Sequence, residues 1–218
     1  MSMKSLSLVA AAALALCAGA AQAANGFANG GFEDAGITTP AASWLAAASG
    51  YSRSSDAYSG NWSAQLASPA LNAAVMLQNS IEQGGLPPLV AGDTPTFSFW
   101  AKGTAGTTGN VLYALRYLDG TGNILANSGN QFFQGAINPN SWTQITYNLG
   151  PVPVGAVAAF VEFSQAIGPI DGRELLAGKV LIDDVSLSVA AIPEPSTYAL
   201  MLAGLAGVGL LAKRRRQA

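Results

Sequence analysis

Thr94-Pro95-Thr96-Phe97-Ser98-Phe99-Trp100-Ala101-Lys102 puts Phe97 and Phe99 on one side of an extended chain and Ser98 and Trp100 on the other. That alternation is the pattern of a half-buried antiparallel strand. It recurs over 142–149, where Thr143, Ile145, Tyr147 and Leu149 share one face and Gln144, Thr146 and Asn148 the other. On either side, short β-type runs are separated by Gly, Pro, Asn, Asp and Ser. Strands are expected over 26–32, 44–52, 62–67, 73–81, 94–102, 110–118, 123–133, 142–149, 156–164 and 180–189. Ser59-Gly60-Asn61 and Asp119-Gly120 are turn signals between them. No segment between 24 and 191 sustains a helical period, and no internal repeat is present. Short strands without helices predict an all-β fold, an antiparallel β-sandwich or barrel.

The full chain has 218 residues, half of them hydrophobic and 10% charged. Apolar residues accumulate at both ends. Residues 24–191 carry 11 Asp/Glu against 5 Lys/Arg, a net charge of −6. An acidic domain lacks the cationic footprint of a nucleic-acid binder. The chain has no His, and its one Cys, Cys17, lies in the leader. A His base, a Cys nucleophile and a His/Cys zinc site are therefore excluded by inventory.

Residues 1–23 have the layout of a secretory leader: Lys4, an apolar run over 6–17, then Ala21-Gln22-Ala23 before the cleavage point. Signal peptidase is the expected partner there, and this segment is expected to be helical. Cys17 follows Leu16, where a lipidated cysteine wants a small residue. At the other end, Pro193-Glu194-Pro195 precedes the apolar stretch 198–212 and the cluster Lys213-Arg214-Arg215-Arg216. As a helix those 15 apolar residues span about 22 Å, thin for a hydrocarbon core of ~30 Å. The basic cluster is expected to stay cytoplasmic and leave residues 24–191 outside.

The arrangement of Pro193-Glu194-Pro195, short apolar helix and terminal basic cluster resembles the PEP-CTERM sorting tail of Gram-negative bacteria. The resemblance covers residues 192–218. It implies an exosortase that cleaves the tail, an inner-membrane intermediate, and delivery to the cell surface or the exopolysaccharide matrix. The domain organisation is then leader 1–23, β-sandwich 24–191 and sorting tail 192–218.

One strand breaks its own pattern. Over 180–189, Leu181, Val185, Leu187 and Val189 share one parity, and Asp183 falls on the same row. A carboxylate on a core-facing row is costly unless paired or bound to metal. Two readings stand at this point: a hard cation such as Ca²⁺ held by oxygen ligands, or an aspartate at a strand end capping backbone N–H groups.

Several segments in order are similar to carbohydrate-binding-module jelly rolls of the family 4/9 type, within the galactose-binding-like class. They are Asn29-Gly30-Gly31-Phe32-Glu33, Asp56-Ala57-Tyr58-Ser59-Gly60-Asn61-Trp62-Ser63, Ser98-Phe99-Trp100-Ala101-Lys102-Gly103, Trp142 with its following strand, and Ile182-Asp183-Asp184-Val185-Ser186-Leu187. This resemblance implies a jelly roll and a structural Ca²⁺. Its ligands would be the Gly31 carbonyl, Glu33, Asp56, the Ser59 carbonyl and Asp183. The segment 38–48 departs from it, being Ala-rich and poor in polar contacts.

Sugar rings have apolar C–H faces and hydroxyl edges, so a site pairs a flat aromatic with hydrogen-bonding side chains. Trp100 shares the parity of Ser98, away from the phenylalanines. Arg116, mid-strand, either pairs with a carboxylate or offers its fork to a ligand. Trp44 precedes Gly50-Tyr51-Ser52-Arg53 and is placed on a loop rim. These three are the expected carbohydrate contacts. Glycosidases need two carboxylates at fixed separation, and Asp93, Asp119, Glu162 and Asp171 form no recognisable pair. The expectation is a non-catalytic, exported, polysaccharide-binding protein. The alternatives are a structural matrix protein and, third, a glycan-active enzyme.

Overall fold

A computed structural model describes residues 26–67, 73–80, 82, 89–106, 109–167 and 177–188. The leader, the sorting tail and both expected terminal helices lie outside the described residues. Residues 24–189 form one compact unit. Its strands are β1 (Leu45–Ala46), β2 (Tyr51–Ser54), β3 (Ser63–Leu66), β4 (Ala74–Asn79), β5 (Thr96–Gly106), β6 (Gly109–Leu118), β7 (Ile124–Asn127), β8 (Gln131–Phe132), β9 (Thr143–Asn148), β10 (Ala158–Ile167) and β11 (Ala177–Ser188). Among the described residues there is no helix.

The strands make two sheets, with every named pair antiparallel. The six-stranded sheet runs β1-β4-β10-β6-β7, with β8 also pairing β6. The five-stranded sheet runs β2-β3-β11-β5-β9. The two pack face to face as a β-sandwich. Alternation decides which side chains fill the gap. Phe97, Phe99 and Ala101 of β5 meet Tyr113 and Leu115 of β6 and Val161 and Phe163 of β10 in one core. The Phe99 ring lies 4.9 Å from Phe163 and 5.4 Å from Tyr113, both edge-on, the arrangement aromatic quadrupoles favour. Ile145, Tyr147 and Leu149 pack against this core, as the pattern of 142–149 predicts.

Three expectations are corrected. Residues 26–32 form turns, not a strand. Asn29 and Phe32 take positive φ (48° and 57°), and isolated hydrogen bonds such as Gly26 N–H to Leu187 and Val185 N–H to Gly30 tie the segment to β11. The expected strand 44–52 is two short strands divided by a turn ending at Gly50, φ 96°. The expected strand 123–133 likewise divides into β7 and β8, with Gly129 (φ 64°) between them.

The fourth correction matters most. The pairing of β11 with β5 slips between Asp183 and Ser186, where three steps on β11 face two on β5. This is a β-bulge, and Asp184 sits in it with φ 47°. Side-chain parity therefore inverts along β11. Val180 and Ile182 face the core before the bulge, Val185 and Leu187 after it. Asp183, opposite Trp100, lies on the outer side of the sheet with Leu181.

The core holds tyrosines that titrate late. Burial pushes Tyr113 and Tyr117 up to about 12, with Tyr147 adding to the effect at Tyr113, and raises Tyr51 as well. Between pH 10 and 12 the folded chain then keeps protons that the unfolded chain loses. The stability these groups contribute is intact below pH 10 and lost as pH rises through 12. Tyrosinate absorbance should rise together with loss of near-ultraviolet circular dichroism above pH 10. A separate earlier ionisation of all tyrosines in the folded chain would contradict it.

Candidate functional site

Two outer faces carry chemistry. On the five-stranded sheet the centre is Asp183, whose side chain is fully buried. Its Oδ2 accepts the N–H groups of Tyr58 (2.8 Å) and Ser59 (3.1 Å), and its Oδ1 accepts the N–H of Asp184 (2.8 Å). Burial lifts its pKa to about 6, against the pull of these N–H donors and with a smaller push from Asp184. Asp184 accepts the Ser59 hydroxyl (2.8 Å). Glu33 holds the next part of the same loop through the N–H groups of Asn61 (2.8 Å) and Trp62 (2.9 Å), which lower its pKa. Gly60 (φ 62°) lies so close to this carboxylate that a Cβ there would collide with Glu33 Oε1. Three carboxylates thus fix the 58–62 loop on the sheet.

Asp183 lies within β11 rather than at a strand end, and it accepts backbone N–H groups there. Of the five expected calcium ligands, the three side chains all have hydrogen-bond partners. Both oxygens of Asp56 bond Lys102 Nζ (2.8 and 3.0 Å), and Glu33 and Asp183 already serve loop donors. Gly31 does lie near Asp183 and Asp184. Among the described residues, however, no three acidic side chains are placed to hold a metal ion.

Fixing the loop lays Tyr58 on Trp100, ring centroids 3.8 Å apart and planes within 12°. Trp142 stands against Tyr58 at 6.1 Å and 64°. Tyr58 escaped the sequence reading because its role depends on the loop fold. The available signal was its place in the Asp56–Ser63 turn segment.

On the six-stranded sheet, Arg116 of β6 and Glu162 of β10 form an ion pair at 3.3 Å, with 22% and 30% of their side chains exposed. Both point away from the core, since Leu115, Tyr117, Val161 and Phe163 beside them point into it. The Arg116 guanidinium also lies 5.2 Å from the Phe160 ring centroid. Strand register sets these groups in rows across the sheet: Leu45–Leu77–Glu162–Ala114 and Asn79–Phe160–Arg116–Asn127. Ala114, the outward residue of β6 between Leu112 and Arg116, is itself covered. A 240 Å³ cavity lined by Asn79, Leu118 and the 119–122 turn adjoins the same face.

The three expected carbohydrate contacts are not brought together. Trp44 is fully buried in the core, donating its indole N–H to the Asn29 carbonyl (3.0 Å); the loop-rim placement is corrected. Trp100 and Arg116 lie on opposite outer faces. Of the carboxylates weighed for catalysis, Asp119 closes its own turn through Thr121 and Asn123, which depresses its pKa. Glu162 belongs to Arg116, Asp93 sits in a loop, and Asp171 lies outside the described residues.

Comparison with known proteins bears on both parts of the chain. No curated protein matches it. The "enzymatically active domain" of tailspike protein 4 from bacteriophage CBA120 superposes with a TM-score of 0.56 at 22% identity, over 76% of this chain and 21% of that one. The chain thus spans about a fifth of that structure, and the likeness is one of fold. TmCBM61, solved with β-1,4-galactotriose, aligns at 18% identity and TM-score 0.46 over 76% of this chain and 98% of its own. The CBM22-1 xylan-binding domain of Paenibacillus barcinonensis Xyn10C aligns at 14% and 0.43, over 74% and 92%. Residues 191–216 match the PEP-CTERM protein-sorting motif. The motif implies export and exosortase processing at the surface of a Gram-negative cell. The chain joins an antiparallel β-sandwich to a PEP-CTERM protein-sorting motif.

Proposed function

We propose that the sandwich is a non-catalytic carbohydrate-binding module that holds a polysaccharide on the outer face of its six-stranded sheet. The tail delivers it to the cell surface or matrix, after signal peptidase has removed the leader and exosortase has processed the tail. The observation that carries this reading is the Arg116–Glu162 pair. An exposed ion pair contributes little to stability, typically about 0–1 kcal/mol. Here it is set mid-sheet, beside the Phe160 ring. The guanidinium donates and the carboxylate accepts, which suits the paired hydroxyls on a sugar edge. Phe160 and Leu77 offer apolar surface for the ring face.

The test uses the full chain in mild detergent against immobilised xylan, β-1,4-galactan, β-glucan and bacterial exopolysaccharides. Binding to at least one is expected. Glu162→Gln and Arg116→Ala should each weaken it roughly ten- to a hundredfold, the size of lost charge-assisted hydrogen bonds. Their melting temperatures should stay within a few degrees of the parent. Intact binding in both variants refutes this site. Absence of binding to every glycan leaves a structural matrix protein.

A further inference from the structure

The outer face of the five-stranded sheet holds a second surface built for a flat ligand. Tyr58, Trp100 and Trp142 belong to no part of the core cluster. They meet as a corner, with Tyr58 lying over Trp100 and Trp142 turned 64° to it as a wall. Tyr58 remains 43% exposed although one ring face lies against Trp100. Beside the corner stand the Lys102–Asp56 pair and Gln144. Lys102 Nζ lies 5.9 Å from the Trp142 ring centroid, and Gln144 is opposite Trp100 in register.

This corner is preformed. Tyr58 and Ser59 N–H groups are anchored on the buried Asp183, and the Tyr58 ring is stacked. A ligand ring settling there immobilises little that is not already fixed, which lowers the entropic cost of binding. The chemistry selects a ring with an apolar face and a polar edge. The apolar face meets Tyr58 and Trp142, and the edge meets an ammonium, a carboxylate and an amide. That describes a pyranose.

We infer that this corner is a second carbohydrate site, and that the sandwich is a two-faced cross-linker of glycan chains. The cross-linking rests on the proposed site at Arg116 and Glu162. The two sites lie on the outward sides of opposite layers, so one glycan segment cannot lie flat on both. Two bound chains are joined through the thickness of one domain, and multivalent networks follow without any oligomer.

The experiment measures binding stoichiometry by calorimetry with xylo-, galacto- and cello-oligosaccharides. Cross-linking is read by light scattering and viscosity with soluble xylan, β-1,4-galactan and β-glucan, all using the full chain in detergent. The parent should bind at two sites and raise viscosity. Trp142→Ala and, separately, Tyr58→Ser should weaken one site roughly tenfold, the size of one lost aromatic contact. Both should abolish the viscosity rise while the Glu162-dependent site persists. Two variants are used because Tyr58→Ser could loosen its loop, whereas Trp142 precedes β9 outside it; thermal melting checks each. Glu162→Gln should remove the other site and spare this one. If both aromatic variants keep two sites and full viscosity, the inference is overturned. A single site lost in Glu162→Gln also overturns it, while leaving the proposed function standing. A single site lost only in Trp142→Ala refutes the Arg116–Glu162 site and the cross-linking, and retains the corner. No binding to any of these sugars overturns both.

Discussion

Asp183→Ala should lower the melting temperature by roughly 10 °C or more. The carboxylate is fully buried and accepts three backbone N–H groups, from Tyr58, Ser59 and Asp184. Removing it strands these donors where the loop covers the sheet, each at a cost of about 1–3 kcal/mol. Not all of that is realised, because the loop can open to water. A net loss of about 3–5 kcal/mol is expected, and about 2–4 °C per kcal/mol applies at this size. Asp183→Asn keeps the volume and one carbonyl oxygen but turns an NH₂ toward N–H donors, so it should fall between. The pH profile supplies an independent reading. With its pKa raised to about 6 from 3.8, the folded chain binds more protons than the unfolded chain between those values. Unfolding free energy therefore falls as pH rises from 4 to 6. Glu33 acts oppositely: its lowered pKa gives stability above its usual 4.5 that is lost at more acidic pH. The melting temperature should peak between these ranges, and Asp183→Asn should flatten the decline toward pH 6. A parent profile level from pH 4 to 6 would show that the N–H donors outweigh burial.

The strands that carried the strongest period were legible because each reads its own burial. In β5, Phe97 and Phe99 have no alternative to the core, and Ile145 and Tyr147 repeat the logic in β9. The sequence reading failed where backbone irregularity decides. Nothing in Ile182-Asp183-Asp184-Val185 announces a bulge. A row drawn through Leu181, Asp183, Val185 and Leu187 is straight on paper and broken in the fold. Mid-strand position fixes the face of Arg116, and pairing with a carboxylate is the one of its two alternatives the structure displays. Its partner Glu162 was visible only as an anomaly between Val161 and Phe163. Pairing them needs the β6–β10 register, a long-range fact. Motif order places Asp56 in the calcium set, and only the fold reveals Lys102, 46 residues away, as its neighbour in space.

Trp44→Ala should be as damaging as the loss of Asp183, and for a different reason. The indole is fully buried, with Phe32 at 5.0 Å, Phe163 at 6.2 Å and Phe27 at 6.3 Å. It bridges the 26–33 turns to the face of β10. Chain reversal at Ser43, φ 68°, turns the indole inward, which is why the Ala-rich flank 45–48 gave no sign of its burial. Truncation leaves a cavity and also frees the Asn29 carbonyl that accepts the indole N–H. Phe or Trp truncation in a core costs about 3–5 kcal/mol, so most of the chain's marginal stability is at stake. Trp44→Phe keeps a ring and loses only the hydrogen bond and part of the volume, about 1–2 kcal/mol. That variant separates packing from recognition. Glycan affinity in Trp44→Phe should match the parent within about twofold, because no bound sugar can reach a fully buried indole, whereas Glu162→Gln should lose affinity with its melting temperature nearly unchanged. A large affinity loss in Trp44→Phe at parental stability would return this tryptophan to the binding surface and contradict the packing described above.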